Sequence, residues 1–234
     1  NKYFKDHKIL SIADLGCGTG SNYRYMHPKI KVKQKWDMID ISFESIKEFK
    51  KITTNKNKII NINYKKFDLI KNIKKIKFKN YDLITGSAYL DIMPKEWFYE
   101  FKKQNLNTKA IYFSINYDGY FKFYPKHKDD EYVLQLFNKD QESDKGIGKK
   151  AVGKNCSQII NKVFTKTHKT FVLNSNWNVS KNKIFQDMFI NFCENVIKKN
   201  KISLEPWIKF RRENIRLNKS KLLLRNKDFL ALKL

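Results

Sequence analysis

The sequence predicts an α/β fold, a doubly wound sheet with helices on both faces, and three observations predict it. Short apolar runs recur at 9–15, 36–41, 58–63, 81–86 and 110–117, with helical periodicity between them, which is the alternation of a parallel sheet built from βαβ units. A glycine-rich stretch, Asp14-Leu15-Gly16-Cys17-Gly18-Thr19-Gly20, falls where the first run ends and a helix should begin. Neither an internal repeat nor a Pro/Gly/Ser-rich linker divides the 234 residues, so a single domain over 1–234 is expected.

The elements follow in order. Ile9 to Leu15 and Trp36 to Ile41 read as buried strands, and Ser42 to Lys51 as a helix. That helix places Phe43, Ile46, Phe49 and Lys50 at helical spacing after a serine able to cap its first turn. Lys58 to Asn63 and Tyr81 to Gly86 are the next strands. Pro94 opens a helix through Asn105, because its fixed φ suits the first turn and its missing N–H is not needed there. Ala110 to Tyr117 is the fifth strand. Residues 118–150 break the rhythm with Gly119, Pro125, Gly146 and Gly148 and read as a long insertion expected to face the substrate. Ser157 to Thr167 then reads as a helix, Thr170 to Leu173 as a strand, Ile184 to Lys199 and Leu204 to Asn218 as helices, and Lys227 to Leu234 as a closing strand.

Composition narrows the function classes. Aromatic residues at 15% supply bulky burial that a disordered chain lacks. No run of eighteen apolar residues exists and the N-terminus leads to no cleavage site, so neither a membrane span nor an export signal is expected, and the cytoplasm is the expected compartment. Cys17, Cys156 and Cys193 lie far apart without CxxC spacing; this disfavours a disulfide frame and a metal site, and they read as buried thiols. A net charge of +26 suggests a polyanion partner. Yet only five of the 49 basic residues are arginine, and lysines are spread evenly among asparagine and isoleucine, as an AT-rich coding sequence would produce. Nucleic acid is therefore possible as a partner and not favoured. Lys65-Lys66, Lys74-Lys75 and Lys149-Lys150 read as solvated faces, His127 as a surface imidazole, and Arg211-Arg212 as the basic pair to check against a substrate anion.

The glycine loop carries the sharpest signal. Alternating glycines let the backbone turn tightly and approach a ligand closely, while free N–H groups at the following helix can meet an anion. Its spacing is G-x-G-x-G with an acidic residue two positions before the first glycine, unlike the G-x-G-x-x-G dinucleotide fingerprint. No Gly-Lys-Ser/Thr triplet follows, which excludes a P-loop. In these residues the sequence resembles the class I S-adenosylmethionine-dependent methyltransferases, whose first motif reads (D/E)-x-G-x-G-x-G. The resemblance implies a seven-stranded Rossmann-like sheet and S-adenosyl-L-methionine as cofactor. Asp14, Gly16, Gly18, Gly20 and Asn22 would surround its amino-acid end. Asp40, followed by Ile41, would meet the ribose hydroxyls, and Asp68 the adenine amino group with Leu69 near the ring. Ser87 completes the cofactor candidates. The stretches Gly20-Ser21-Asn22, Ser87-Ala88-Tyr89-Leu90-Asp91, and Asn138-Lys139-Asp140-Gln141 followed by Asp144-Lys145-Gly146-Ile147-Gly148 look like those of a group of bacterial methyltransferases, many without an assigned substrate. About eight residues precede the first strand, where the family usually has a helix closing over the cofactor, so a truncated lid is expected.

Displacement at a methyl sulfonium requires alignment, exclusion of water and, where needed, removal of a proton. The acceptor pocket is expected at the ends of the fourth and fifth strands with the insertion. Asp91 is a candidate base or anchor. Tyr117, with Asp118 beside it, should stand where the fifth strand ends. Lys145 could hold an acidic substrate group or pair with Asp144, while Gln141 and Trp177 could give a hydrogen bond and an apolar wall. The (N/D/S)-P-P-(Y/F) box of exocyclic-amine methyltransferases is replaced by Ser87-Ala88-Tyr89-Leu90, and no Pro-Cys dipeptide suggests C5 chemistry. Methyl transfer to oxygen or nitrogen of a small molecule is the expectation. An RNA or protein acceptor, or a non-catalytic binding role, stays open.

Overall fold

The computed structural model describes residues 2–52, 59–146 and 148–234. Eight strands occur among them: β1 (Ile9–Leu15), β2 (Lys33–Asp40), β3 (Ile59–Lys66), β4 (Leu83–Ser87), β5 (Ala110–Tyr124), β6 (His168–Asn174), β7 (Trp177–Val179) and β8 (Lys221–Lys233). They form one sheet in the order β3-β2-β1-β4-β5-β8-β6, with β7 also paired to β8. Pairing is parallel from β3 through β5, and β8 runs antiparallel to β5, β6 and β7. The strand order reverses between β1 and β4, and a crevice opens at the carboxyl ends of the strands at such a switch point.

Among the described residues seven α-helices accompany the sheet: α1 (Ser21–Met26), α2 (Phe43–Ile52), α3 (Lys95–Gln104), α4 (Asp130–Gln141), α5 (Cys156–Phe164), α6 (Lys183–Lys199) and α7 (Glu205–Arg216). Side chains alternate across a strand, and the core divides accordingly. Leu10, Ile12, Trp36 and Met38 pack with Tyr23 of α1 and Phe49 of α2. Ala13, Leu15, Ile39 and Ile84 pack on the opposite face with Trp97 and Phe101 of α3 and Ile160 of α5. Helices thus cover both faces. The expected Ser42 cap forms, its Oγ accepting from the Ser45 N–H at 3.1 Å.

The structure corrects several boundaries. The insertion is not a loop from residue 118: β5 continues to Tyr124 and pairs with β8 as far as Lys221, with register shifts at Phe113/Asn116 and Tyr117/Phe121. Gly119, at φ +77, sits in the second irregularity, where a left-handed residue lets the strand continue past an unmatched position. Phe121 and Phe123 then build a further apolar cluster with α4, α6, Trp207 of α7 and Leu222 and Leu224 of β8. The strand β2 starts three residues early because its exposed lysines alternate with buried Gln34 and Trp36. The path from β3 to β6 holds the seven strands expected, and short β7 pairs with β8 as an eighth among the described residues. Lys58, the expected start of the third strand, lies outside the described residues.

The basic pair is structural. Arg211 is fully buried, donates to Asp130 and to the Pro125 carbonyl (2.6 Å for the latter), and lies 5.0 to 5.5 Å from the rings of Phe123, Phe210 and Trp207. Arg212 donates to Glu194 at 2.6 Å and Asn191 at 2.8 Å. His127 is no solvated imidazole either: its Nδ1 accepts from the Asp129 N–H at 3.2 Å and its ring packs on Phe210 at 5.0 Å. All three cysteines are buried and free. Among the described residues no helix is long and apolar enough to cross a membrane.

Candidate active site

The glycine loop crosses the crevice at the switch point. Gly16, Gly18 and Gly20 have φ of +63°, +50° and +81°, a region that disfavours any residue with a Cβ. Their surroundings differ. A Cβ on Gly20 would stand 1.9 Å from the Phe49 ring and one on Gly16 2.5 Å from the Tyr89 ring, whereas one on Gly18 would meet nothing within 4 Å. Gly16 and Gly20 therefore serve the protein's own packing, and Gly18 leaves an open face. Asp40 ties this loop down: its Oδ2 accepts from the Gly18 N–H and its Oδ1 from the Ser42 N–H, both at 2.8 Å.

Asp14 is fully buried at the end of β1. Its Oδ1 accepts from Asn22 Nδ2 at 2.7 Å, and Asn22 also donates to Thr85 Oγ1 at 3.2 Å. Its Oδ2 has no partner. Burial pushes the carboxyl up to about 7, Asn22 opposing and the Asp40 charge adding to the rise. A carboxyl whose folded pKa exceeds its unfolded value of 3.8 keeps its proton in the fold while the unfolded chain loses it, so its contribution to stability falls as pH rises between about 4 and 7. Asp14→Asn should remove that slope. Thermal melts from pH 4 to 8 should show the variant gaining on the native protein toward pH 7, and parallel curves would contradict the assignment.

The other cofactor candidates divide. Asp68 Oδ1 accepts from the N–H groups of Ile70 and Lys71, each at 2.9 Å, and so caps a turn. Leu69 is buried in the core and its carbonyl accepts from Trp97 Nε1 at 3.0 Å. Ile41 is exposed beside Asp40, and Ser87 is half-buried at the end of β4. Sequence reasoning missed Tyr89 as a site residue. Its ring packs against Gly16 and edge-on to Trp97 at 5.6 Å, and its buried hydroxyl has no partner. Burial and the charges of Asp40 and Asp68 push that hydroxyl well above its ordinary range. The signal was a tyrosine two residues past β4, but its reach to the loop depends on the left-handed turn at Ala88, φ +52.

Two chambers lie outside the ends of β4 and β5. One, of about 370 Å³, is bordered by the polar groups of Ser21, Asn22, Ser87, Ser114, Ser175 and Asp228 and by the rings of Tyr25 and Tyr112. The other, of about 480 Å³, is bordered by Asp91, Tyr117, Gln141, Trp177 and Asn226, with aromatic residues of α4 and α6. Ile115 and Trp177 border both. A third cavity of about 490 Å³, beside Tyr3, Leu10, Met26 and Leu232, involves none of the glycine-loop residues.

The three catalytic candidates fare differently. Asp91 reaches the second chamber, its Oδ1 buried without a partner; burial pushes its carboxyl up to about 6 against the pull of Lys145. Tyr117 is a wall rather than the end of a strand. Its hydroxyl donates to Asn138 Oδ1 at 2.9 Å, and burial pushes the hydroxyl far above its usual range, which makes it a poor proton acceptor at neutral pH. The neighbouring Asp118 pairs with Arg225 and Lys227 at 2.6 and 2.7 Å. Lys145 does not border the chamber: its Nζ donates to the Asp140 carbonyl at 2.6 Å and to Asp140 Oδ2 at 2.8 Å. Gln141 and Trp177 lie where expected. Asn226 of β8 was missed; only 2% exposed, it carries an unpartnered Nδ2.

The residues present suit the expected cofactor's chemistry: an orphaned carboxylate oxygen at Asp14, an open face at Gly18 and the Asp40 carboxylate could meet its polar groups. Sheet order, loop and acidic partners are those that the resemblance to class I S-adenosylmethionine-dependent methyltransferases implies. In agreement, residues 12–104 match the family described as "Methyltransferase domain". No curated protein sequence matches the chain. Among solved structures, a cyclopropane-fatty-acyl-phospholipid synthase-like protein of Lactobacillus casei is similar in fold, with TM-score 0.60 at 10% identity, over 95% of this chain and 84% of that one. A SAM-dependent methyltransferase of Methanosarcina mazei gives TM-score 0.54 at 11% identity, over 97% and 94%. Phosphoethanolamine N-methyltransferase 2 of Haemonchus contortus, with S-adenosyl-L-methionine bound, gives 0.47 at 13% identity over 99% of this chain; the present chain spans about half the length of that protein.

Proposed function

We propose that the protein transfers the methyl group of S-adenosylmethionine to a nitrogen or oxygen of a small-molecule acceptor, in a cytoplasmic setting that accords with its three free cysteines. The observation that carries this reading is the pair of adjoining chambers at the switch point, one bordered by Asn22 and Ser87, the other by Asp91. When bound, the cofactor supplies an electrophilic methyl and a neutral leaving group. Asp14, Gly18 and Asp40 would hold it, and Asp68, Leu69, Ile41 and Ser87 would border its nucleoside and methionine ends. Tyr117, Trp177 and the α6 aromatics would exclude water from the acceptor, and Asp91 would take its proton.

Calorimetric titration with S-adenosylhomocysteine tests the cofactor half. Native protein should bind, and Asp40→Ala should cost about 1.5–3 kcal/mol, roughly 10- to 150-fold in affinity, because the loop loses its tether and the ligand a charged acceptor. Equal affinity in the two proteins would count against the site. Activity should rise with pH through about 6 as Asp91 ionises. Asp91→Asn should lower kcat by about 10²- to 10⁴-fold and abolish that rise; an unchanged pH profile would remove Asp91 from the chemistry.

A further inference from the structure

The chain carries 49 Lys+Arg and a net charge of +26, yet none of the described residues bordering the Asp91 chamber is lysine, arginine or histidine. Its polar groups are the carboxylates of Asp91 and Asp140, the amides of Gln141, Asn195 and Asn226, the Tyr117 hydroxyl and the Trp177 indole N–H. The lysines Lys145 and Lys199 both bond to Asp140, at 2.8 and 2.6 Å, leaving Asp91 Oδ1 as a buried acceptor with no partner. Aromatic side chains make the walls, Tyr117, Phe137, Trp177 and Phe189 among them. The apolar surface continues outward along α6, where Phe192, Met188 and Ile184 are exposed at four-residue spacing and so share one helix face.

An acceptor bearing a carboxylate or phosphate would find no cation on the chamber's walls, and Lys145, near enough to pull on Asp91, is engaged by Asp140, so its entry carries a desolvation cost. An ammonium meets the reverse: aromatic faces attract it, and a buried carboxylate pairs with it. We infer that the acceptor is an apolar amine, which seats its hydrocarbon body against the aromatic walls and its nitrogen at Asp91. The inference rests on the methyl-transfer reading for its chemistry and on the chamber alone for its recognition.

The step balances. Asp91 carboxylate takes one proton from the ammonium, and the freed nitrogen lone pair forms the N–C bond to the methyl. The S–C bond breaks with its electron pair on sulfur, which leaves the neutral thioether of S-adenosylhomocysteine. The product is the N-methylammonium ion, and the Asp91 proton passes to water. Asn226 Nδ2 offers a hydrogen bond to any acceptor atom on the substrate body.

Three probes sharing an indole ring separate the head groups: tryptamine, tryptophol and indole-3-acetate. Each is titrated by calorimetry at pH 7.5 into native protein and Asp91→Asn, with and without saturating S-adenosylhomocysteine. Tryptamine should bind at least about tenfold more tightly than tryptophol, with indole-3-acetate weakest. Asp91→Asn should bring tryptamine down to tryptophol while S-adenosylhomocysteine affinity holds and the thermal midpoint does not fall. Indole-3-acetate binding as well as tryptamine, a tryptamine preference that survives Asp91→Asn, or no binding of any probe would each overturn the inference. A tryptamine preference that depends on Asp91, in a protein with no affinity for S-adenosylhomocysteine, would uphold amine recognition and sink the methyl-transfer reading.

Discussion

Gly18→Val should abolish cofactor binding in a protein that still folds. The site has open space beyond the position of a Cβ, with nothing within 4 Å, so the isopropyl group meets no protein atom at its first carbon. It projects instead from the loop that Asp40 holds through the Gly18 N–H, onto the face a ligand backbone must approach. The cost to the fold is the left-handed φ of +50°, on the order of 1–3 kcal/mol for a residue with a side chain, which a domain of ordinary stability survives. Gly20→Ala is the contrasting control. Its Cβ would stand 1.9 Å from the fully buried Phe49 ring of α2, so the loop or the helix must shift and the loss appears in folding. Calorimetry with S-adenosylhomocysteine beside thermal melts separates the two. Native-like affinity in Gly18→Val would show that the ligand does not pass over this loop.

Arg211→Met should destabilise the protein by about 3 kcal/mol, since it removes a fully buried cation and leaves the partly buried Asp130 carboxylate without its partner. Arg211 is 0% exposed, and burial lowers its pKa while Asp130 raises it. Asp130 would keep its bonds from Trp207 Nε1 at 2.8 Å and from the His127 N–H at 2.9 Å, so a hydrogen-bonded but uncompensated charge remains. For a chain of this size the expected fall in thermal midpoint is roughly 6–12 °C. Urea denaturation measures it, and a loss under about 1 kcal/mol would mean that Met repacking among Phe123, Trp207 and Phe210 offsets the ion pair. Cofactor affinity should be unchanged in the folded variant, because Arg211 supports the β5, α4 and α7 junction and not the glycine loop.

Much of the front half was legible because its signals are local. Ile9 to Leu15 matches β1 residue for residue, and the loop glycines adopt the left-handed conformations their spacing implied. Legibility failed where a side chain's partner lies far along the chain. Arg211 finds Asp130 81 residues away, and Asp118, read as turn chemistry, pairs with Arg225 107 residues on. The fifth strand looked finished at Tyr117 because Gly119 and Asp118 read as a turn; pairing with β8 carries it on.

The residues of the sequence, taken alone, determine the run of strands and helices, the glycine loop with Asp14 and Asp40, and the class those features resemble. Each depends on periodicity or on a backbone conformation set within a few residues. Only the tertiary structure decides which side chains face the acceptor chamber. Asp91 from the segment after β4, Trp177 from β7, Asn226 from β8 and Phe189 from α6 meet because the antiparallel β8 lies beside β5 and the helices α4 and α6 pack over their extended ends. The absence of any cation among the described residues bordering that chamber, in so basic a chain, is a property of this folding and not of composition: desolvation keeps lysines at the surface, and the sheet brings uncharged and acidic residues to the chamber's walls.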